Sequence, residues 1–103
     1  MNEDMHFPSP AEALAEFLRE ENLSASALAR RLGVPPNRVT RVLNGRTTVT
    51  AETALLFERE FDPPAEYWMQ LQSRYALAQA RGRAASSVRA QNGEPEPAAP
   101  AEA

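Results

Sequence analysis

The sequence contains no cysteine, a single histidine and no apolar run that could cross a membrane. Without cysteine the chain forms neither a disulfide framework nor a reactive thiolate, which fits a reducing compartment. The histidine, His6, stands alone near the N-terminus, where we expect an inert side chain rather than a base or a metal ligand. A membrane-spanning helix needs about 18 or more consecutive apolar residues, and nothing resembles a signal peptide. We therefore expect a soluble, cytoplasmic protein with no cofactor and no metal.

Residues that would form an enzymatic site are also missing. The sequence offers no nucleophile accompanied by its base, and its four glycines form no phosphate-binding loop. Glu12, Glu16 and Glu20 recur at every fourth position and could imitate a catalytic carboxylate pair, but this spacing is typical of a solvated helix face. The sequence thus predicts a binding protein and not an enzyme.

Lysine is absent as well, so all 11 basic residues are arginines. The formal net charge is −3, but residues 24–48 contain five arginines and no acid, whereas acids outnumber arginines on both sides. Positive charge gathered in one segment of an acidic chain is expected of a face that neutralises phosphates. These arginines are Arg30, Arg31, Arg38, Arg41 and Arg46. We expect Arg30 and Arg31 to be surface charges.

Helix-start signals and apolar spacing predict five helices and no strand. Ser9 and Glu12 have capping-box spacing, and Ser24 and Thr50 are further N-cap candidates. The expected helices extend from Pro10 to about Glu21, from Ser24 as the cap to Leu32, from Pro36 to Leu43, from Ala51 to Phe61, and from near Ala65 to about Arg81. We divide the chain into a flexible N-terminus (1–8), one all-α domain (9–81) and a disordered tail rich in Ala, Pro and Glu (82–103).

The second and third helices are joined by a tight turn, which is the pattern of a helix-turn-helix. Gly33 follows Leu32 at the point where a left-handed C-terminal residue is needed. Pro36 suits the first position of the next helix, because its φ is already helical and its missing N–H would have had no partner there. This pattern is typical of DNA-binding proteins.

The third helix has an inward face formed by Val39, Val42 and Leu43. At 100° per residue, the polar residues opposite this face point away from the core. We call this polar surface the reading face; it consists of Asn37, Arg41 and Asn44, flanked by Arg38 and Thr40. These five residues are the predicted base-reading surface.

A second group of residues flanks the reading face and could contact the phosphate backbone. The candidates are Ser24, Ser26, Pro36, Asn44, Arg46, Thr47 and Thr48. Two of them have an alternative explanation, since Ser24 can act simply as an N-cap and Asn44-Gly45 can simply end a helix.

The fifth helix carries Trp68, Leu71 and Tyr75 at helical spacing. Large apolar residues in such a row belong either to the core or to a dimer interface. We predict a homodimer with these three residues in its contact, because a symmetric DNA site requires paired readers.

Several segments, in this order and spacing, resemble the HigA-type antitoxins, a branch of the lambda-repressor-like helix-turn-helix family. The matching segments are Gly33–Arg38, Asn44–Gly45, Thr50–Leu55, Trp68, Leu71–Gln72 and Tyr75, within residues 10–78. The opening Ser9–Glu12 keeps only the Pro and Glu of the family's usual His-Pro-Gly-Glu. By matching positions, the resemblance assigns the base contacts to Asn37, Arg38, Thr40 and Arg41.

The resemblance further implies a five-helix lambda-repressor-like fold and a homodimer that binds an inverted-repeat operator in double-stranded DNA. It also implies a HigB-type toxin that cleaves mRNA as the protein partner, and repression of the antitoxin's own operon. Two other functions stay open: a stand-alone repressor without a toxin, and a protein-interaction module that has kept the fold without DNA binding.

Overall fold

The structure, a computed structural model, describes the backbone of residues 7–91 and the side chains as far as residue 86. Within this range the chain forms five α-helices and no strand, which confirms the predicted all-α class. The helices are α1 (Pro10–Glu20), α2 (Ala25–Leu32), α3 (Pro36–Leu43), α4 (Ala51–Glu60) and α5 (Ala65–Gln91). In this part of the chain, no helix is long and apolar enough to span a membrane.

Local side-chain caps begin three of the helices, as the sequence predicts. At α1, the Ser9 hydroxyl accepts from the Glu12 backbone N–H at 3.1 Å, and the Glu12 carboxylate accepts from the Ser9 N–H at 2.9 Å. Ser24 caps α2 by accepting from the Ala27 N–H at 3.0 Å. Thr50 caps α4 in the same way. Each cap satisfies a backbone donor that the first turn of a helix leaves without a partner.

Three helices are followed within two residues by a residue at positive φ: Asn22 at 54°, Gly33 at 76° and Gly45 at 69°. After α2, the Val34 N–H donates to the Ala29 carbonyl at 3.0 Å, while the Gly33 N–H donates to Arg30. This pair of bonds is the Schellman arrangement, which satisfies the last carbonyls and turns the chain sharply. The same arrangement follows α3 at Gly45, so hydrogen bonds between neighbouring residues end both α2 and α3.

Every helix contributes a fully buried side chain to one core. These side chains are Leu14 of α1, Leu28 of α2, Val39 of α3, Phe57 of α4 and Trp68 of α5. The α3 helix packs against α1 and α2, and α5 packs against α1 and α4. Burial of one such side chain stabilises the fold by about 1.5–3 kcal/mol. Packing against α1 and α2 therefore holds α3 in place.

The expected end of the fifth helix at Arg81 is wrong, because α5 continues to Gln91. Residues 82–91 lack large apolar side chains other than Val88, but they contain alanine, arginine and glutamine, which favour helix. Because residues 82–91 have few large apolar side chains, they cannot form part of a core, but they can still form a helix. The predicted tail beyond residue 91 and the predicted flexible residues 1–6, with His6, lie outside the described residues.

Candidate nucleic-acid interface

The turn between α2 and α3 consists of Gly33, Val34 and Pro35. Pro35 is the N-cap residue of α3 with extended backbone (ψ 148°), and Pro36 begins the helix as predicted. Val34 is half-buried and packs against the core. This anchored turn and the buried Val39 and Val42 fix the rotation of α3 about its axis.

This rotation of α3 turns the reading face away from the core, as the spacing of the apolar residues in α3 predicts. Asn37, Arg41 and Asn44 are exposed, whereas Arg38 and Thr40 are half-buried at the two sides. Leu43 is half-buried against the core. Asn37 and Arg41 of α3, and Asn44 directly after it, are therefore accessible to the major groove of a DNA duplex.

Arg38 has partners within the chain. Its Nη2 donates to the Thr53 hydroxyl of α4 at 3.4 Å and lies 3.8 Å from the Glu52 carboxylate. Thr53 is itself buried, and its hydroxyl accepts from that of Thr50 at 3.2 Å. The guanidinium of Arg38 is thus tied to the beginning of α4, unlike the exposed Arg41.

The loop between α3 and α4 carries the other predicted contacts and is held at both ends. At its start, the Arg46 N–H donates to the Arg41 carbonyl at 2.8 Å. At its end, the buried Val49 donates its N–H to the Gln72 side-chain oxygen of α5 at 2.8 Å. Thr47 and Thr48 lie exposed between these anchors. A pinned backbone with exposed polar side chains is suited to phosphate contact.

The remaining phosphate candidates are also on the surface. Ser24, Ser26 and Pro36 are exposed, and Ser24 uses one lone pair of its hydroxyl in capping α2. A hydroxyl has a further acceptor site and a donor, so capping and phosphate contact are compatible. Arg30 is exposed, as expected, and Arg31 pairs with Glu60 of α4 at 2.5 Å.

α3, the loop and the start of α4 surround a cleft of about 230 Å³, which we call the recognition cleft. It is lined by Asn37, Arg38, Arg41, Val42, Thr47, Thr48, Thr50, Glu52 and Thr53. The structure therefore brings residues of the reading face and of the loop together in one place. Glu52 is the acidic member of this lining.

The dimer prediction is wrong for Trp68 and Leu71, whose side chains are 0% and 3% exposed. Both are covered by the chain itself; Trp68 packs against Phe57 with ring centroids 4.8 Å apart. Neither side chain is accessible to a second copy of the chain. Tyr75, at 41% exposed, is accessible, and its role in a dimer stays a prediction.

Three residues of the site have no role in the sequence prediction. Gln72 positions the loop, and Thr53 and Glu52 hold Arg38. Their contacts join residues far apart in the chain, so no local pattern could have revealed them.

Comparison with known proteins gives consistent matches. A helix-turn-helix family model matches residues 14–68, more than half of the chain. Virulence-associated protein I of Dichelobacter nodosus is 39% identical over 72 residues, covering 69% of this chain and 67% of that protein. The structure is similar to Pseudomonas aeruginosa antitoxin HigA with the higBA promoter, at 36% identity and a TM-score of 0.74 over 87% of this chain and 96% of that one. It is also similar to an addiction module antidote protein of the HigA family from Coxiella burnetii, at 36% identity and a TM-score of 0.72 over the same shares.

Proposed function

We propose that this chain, which belongs to the helix-turn-helix family and to its HigA-type antitoxins, binds an inverted-repeat operator and represses its own operon. The observation that carries the proposal is the exposed reading face beside a pinned loop, with Asn37 and Arg41 projecting from α3. Asn can pair with adenine and Arg with guanine through two hydrogen bonds each. Arg46, Thr47 and Thr48 would contact phosphates. Repression requires access to DNA, so we expect the protein in the cytoplasm.

Binding to DNA from the chain's own promoter region tests this function. Fluorescence anisotropy would compare a duplex from upstream of its coding sequence with a scrambled duplex of equal composition. We expect the double variant Asn37→Ala/Arg41→Ala to lose most of its preference for the upstream duplex. Arg59→Ala is the matched control, because Arg59 is exposed at the end of α4 and lies outside the recognition cleft. Equal affinity of the wild-type protein for both duplexes would contradict the proposal.

The second part of the proposal is neutralisation of a HigB-type, mRNA-cleaving toxin. The support is the family: the structural relatives from P. aeruginosa and C. burnetii are described as an antitoxin and an addiction module antidote protein. Co-expression with the product of the adjacent gene, followed by purification through a tag on that product, tests the partnership. We expect the two proteins to co-purify and growth inhibition by the partner to cease. DNA binding without co-purification would instead favour the stand-alone repressor.

We also propose a homodimer, with a contact different from the one expected from sequence. Met69, Ser73 and Leu77 of α5 are exposed and share one side of the helix, since their angular positions fall within about 80°. Leu55 of α4 lines the same cleft as Met69 and Ser73. We call Leu55, Met69 and Leu77 the apolar stripe; their exposed fractions are 54%, 37% and 49%. Covering this stripe by a second copy would remove apolar surface from water and pair the two reading faces.

A further inference from the structure

Glu52 places a carboxylate on a surface that is otherwise suited to polyanions. The other residues that line the recognition cleft are neutral or basic. The Glu52 side chain is 83% exposed, and the Arg38 side chain that it faces at 3.8 Å is 39% exposed. A carboxylate in the first turn of α4 interacts favourably with the helix dipole wherever it points. That interaction does not require the carboxylate to face an arginine of α3.

The contacts of Arg38 restrict where its positive charge can go. Thr53 and Glu52 both contact the same nitrogen of the guanidinium, Nη2, and Thr53 is buried and bonded to Thr50. An arginine without such partners can turn toward whichever phosphate is nearest. Binding to unrelated DNA consists almost entirely of phosphate contacts of this kind. Restraint of Arg38 therefore removes a contact that unrelated DNA could otherwise gain.

We propose that Glu52, assisted by Thr53, is a positioning residue that keeps Arg38 in one orientation and so lowers affinity for non-operator DNA more than for the operator. On the operator, Arg38 meets its partner in the orientation that Glu52 and Thr53 maintain. On other sequences, Arg38 must leave Glu52 to reach a phosphate, and the Glu52 charge repels that phosphate. This inference rests on the proposed DNA-binding function.

The test compares Glu52→Gln with Glu20→Gln, which makes the same charge change at the end of α1, away from the recognition cleft. Both are measured on the upstream and scrambled duplexes across a range of salt concentrations. We expect Glu52→Gln to bind the scrambled duplex about 3- to 10-fold more tightly and the upstream duplex more tightly by a smaller factor, so that the ratio of the two affinities falls. The log–log salt slope for the scrambled duplex should steepen by about one unit per subunit, because Arg38 then neutralises a phosphate. Glu20→Gln should leave the ratio and both slopes unchanged.

Measuring Glu52→Gln and Glu20→Gln in an Arg38→Ala background shows whether Arg38 carries the effect. There, Glu52→Gln should no longer change the ratio of the two affinities, and circular dichroism should show that all variants are folded. The inference is overturned if Glu52→Gln behaves like Glu20→Gln, or if its loss of selectivity persists without Arg38. A wild-type protein that does not prefer the upstream duplex overturns the proposed function, and this inference with it, so the two failures are distinguishable.

Discussion

Arg41 and Arg46 belong to the same basic segment but lie in different surroundings. Arg41 is exposed on α3, opposite the buried Val39 and Val42. Arg46 follows the left-handed Gly45 and begins the loop, with its backbone N–H bonded to Arg41. A side chain in the centre of the reading face can reach base edges, whereas one beside the helix end is better placed for phosphates. The two arginines should therefore contribute differently to binding.

We predict that Arg41→Ala costs about 1–3 kcal/mol per half-site on the operator and relaxes discrimination at particular base pairs. Arg46→Ala should weaken binding to all sequences together and reduce the log–log salt slope by about one unit per subunit. Titration of both variants against operator and scrambled duplexes at several salt concentrations measures both effects. Equal weakening of both duplexes by Arg41→Ala would show that this side chain does not read bases.

Two glycines allow a matched test of the helix-turn-helix corner. Gly33 has φ +76° and Gly82 lies within α5, and an added Cβ would meet no atom within 4 Å at either position. Any cost at Gly33 therefore comes from the backbone conformation alone. We predict that Gly33→Ala lowers the free energy of unfolding by about 1–2 kcal/mol, whereas Gly82→Ala leaves it unchanged or raises it by up to about 1 kcal/mol. Chemical denaturation measures both; equal effects would contradict the left-handed assignment.

At the scale of the element, α5 has two parts with different surroundings. Trp68 and Leu71 are buried, and Gln72 contacts the loop, whereas residues 73–85 are exposed. The first part stabilises the core and the loop next to the reading face. The second part is supported by its own backbone hydrogen bonds and its helix propensity. Changes in the two parts should therefore have different consequences.

In the first part, we predict that Gln72→Met lowers the free energy of unfolding by about 1–3 kcal/mol, because the Val49 N–H loses its acceptor. It should also weaken binding to all duplexes by loosening the loop that carries Thr47 and Thr48. Gln72→Glu is the control, since it keeps an acceptor oxygen at the same position. If thermal melting shows that Gln72→Glu loses as much stability as Gln72→Met, the hydrogen bond is not the cause.

At the C-terminal end of the chain, deletion of residues 84–103 should leave folding and operator affinity nearly unchanged. Residues 84 and 85 are exposed, residue 86 is half-buried, and none of the three is a core residue. Truncation cost follows the burial of the removed segment. Differential scanning calorimetry of the shortened chain checks this, and a large fall in melting temperature would mean that the removed residues dock on the domain.

At the scale of the whole molecule, the proposed dimer depends on the apolar stripe. We predict that Met69→Glu/Leu77→Glu shifts a dimer to a monomer, because two charges would have to be buried at the contact. Gln79→Glu is the control, since Gln79 is exposed on another side of α5. Light scattering at micromolar concentration measures the assembly. A dimeric double variant would place the contact elsewhere, and a wild-type monomer that stays monomeric on DNA would exclude the dimer.

The distribution of charge also belongs to this scale. The net charge of −3 would suggest weak attraction to DNA, but the acid-free segment 24–48 folds into α2, the turn, α3 and most of the loop. Folding thus brings Arg38 and Arg41 to the recognition cleft, with Arg46 at the start of the loop, while Arg31 forms an ion pair with Glu60 of α4. Local charge at the contact, rather than net charge, governs the neutralisation of phosphates.

The sequence by itself determined the helix starts, the corner at Gly33 and the rotation of α3. These depend on a cap, on the φ preference of glycine or proline, and on apolar periodicity, which act over a few neighbouring residues. The end of α5 also depends on local sequence, but the absence of core residues after Arg81 predicts a helix end there, whereas α5 continues to Gln91. Only the tertiary structure decided the surroundings of Arg38, the hydrogen bond from Val49 to Gln72, and the burial of Trp68 and Leu71. These contacts involve elements distant in sequence. A row of apolar residues on a helix predicts a buried face, but it does not specify whether the same chain or a second copy covers that face.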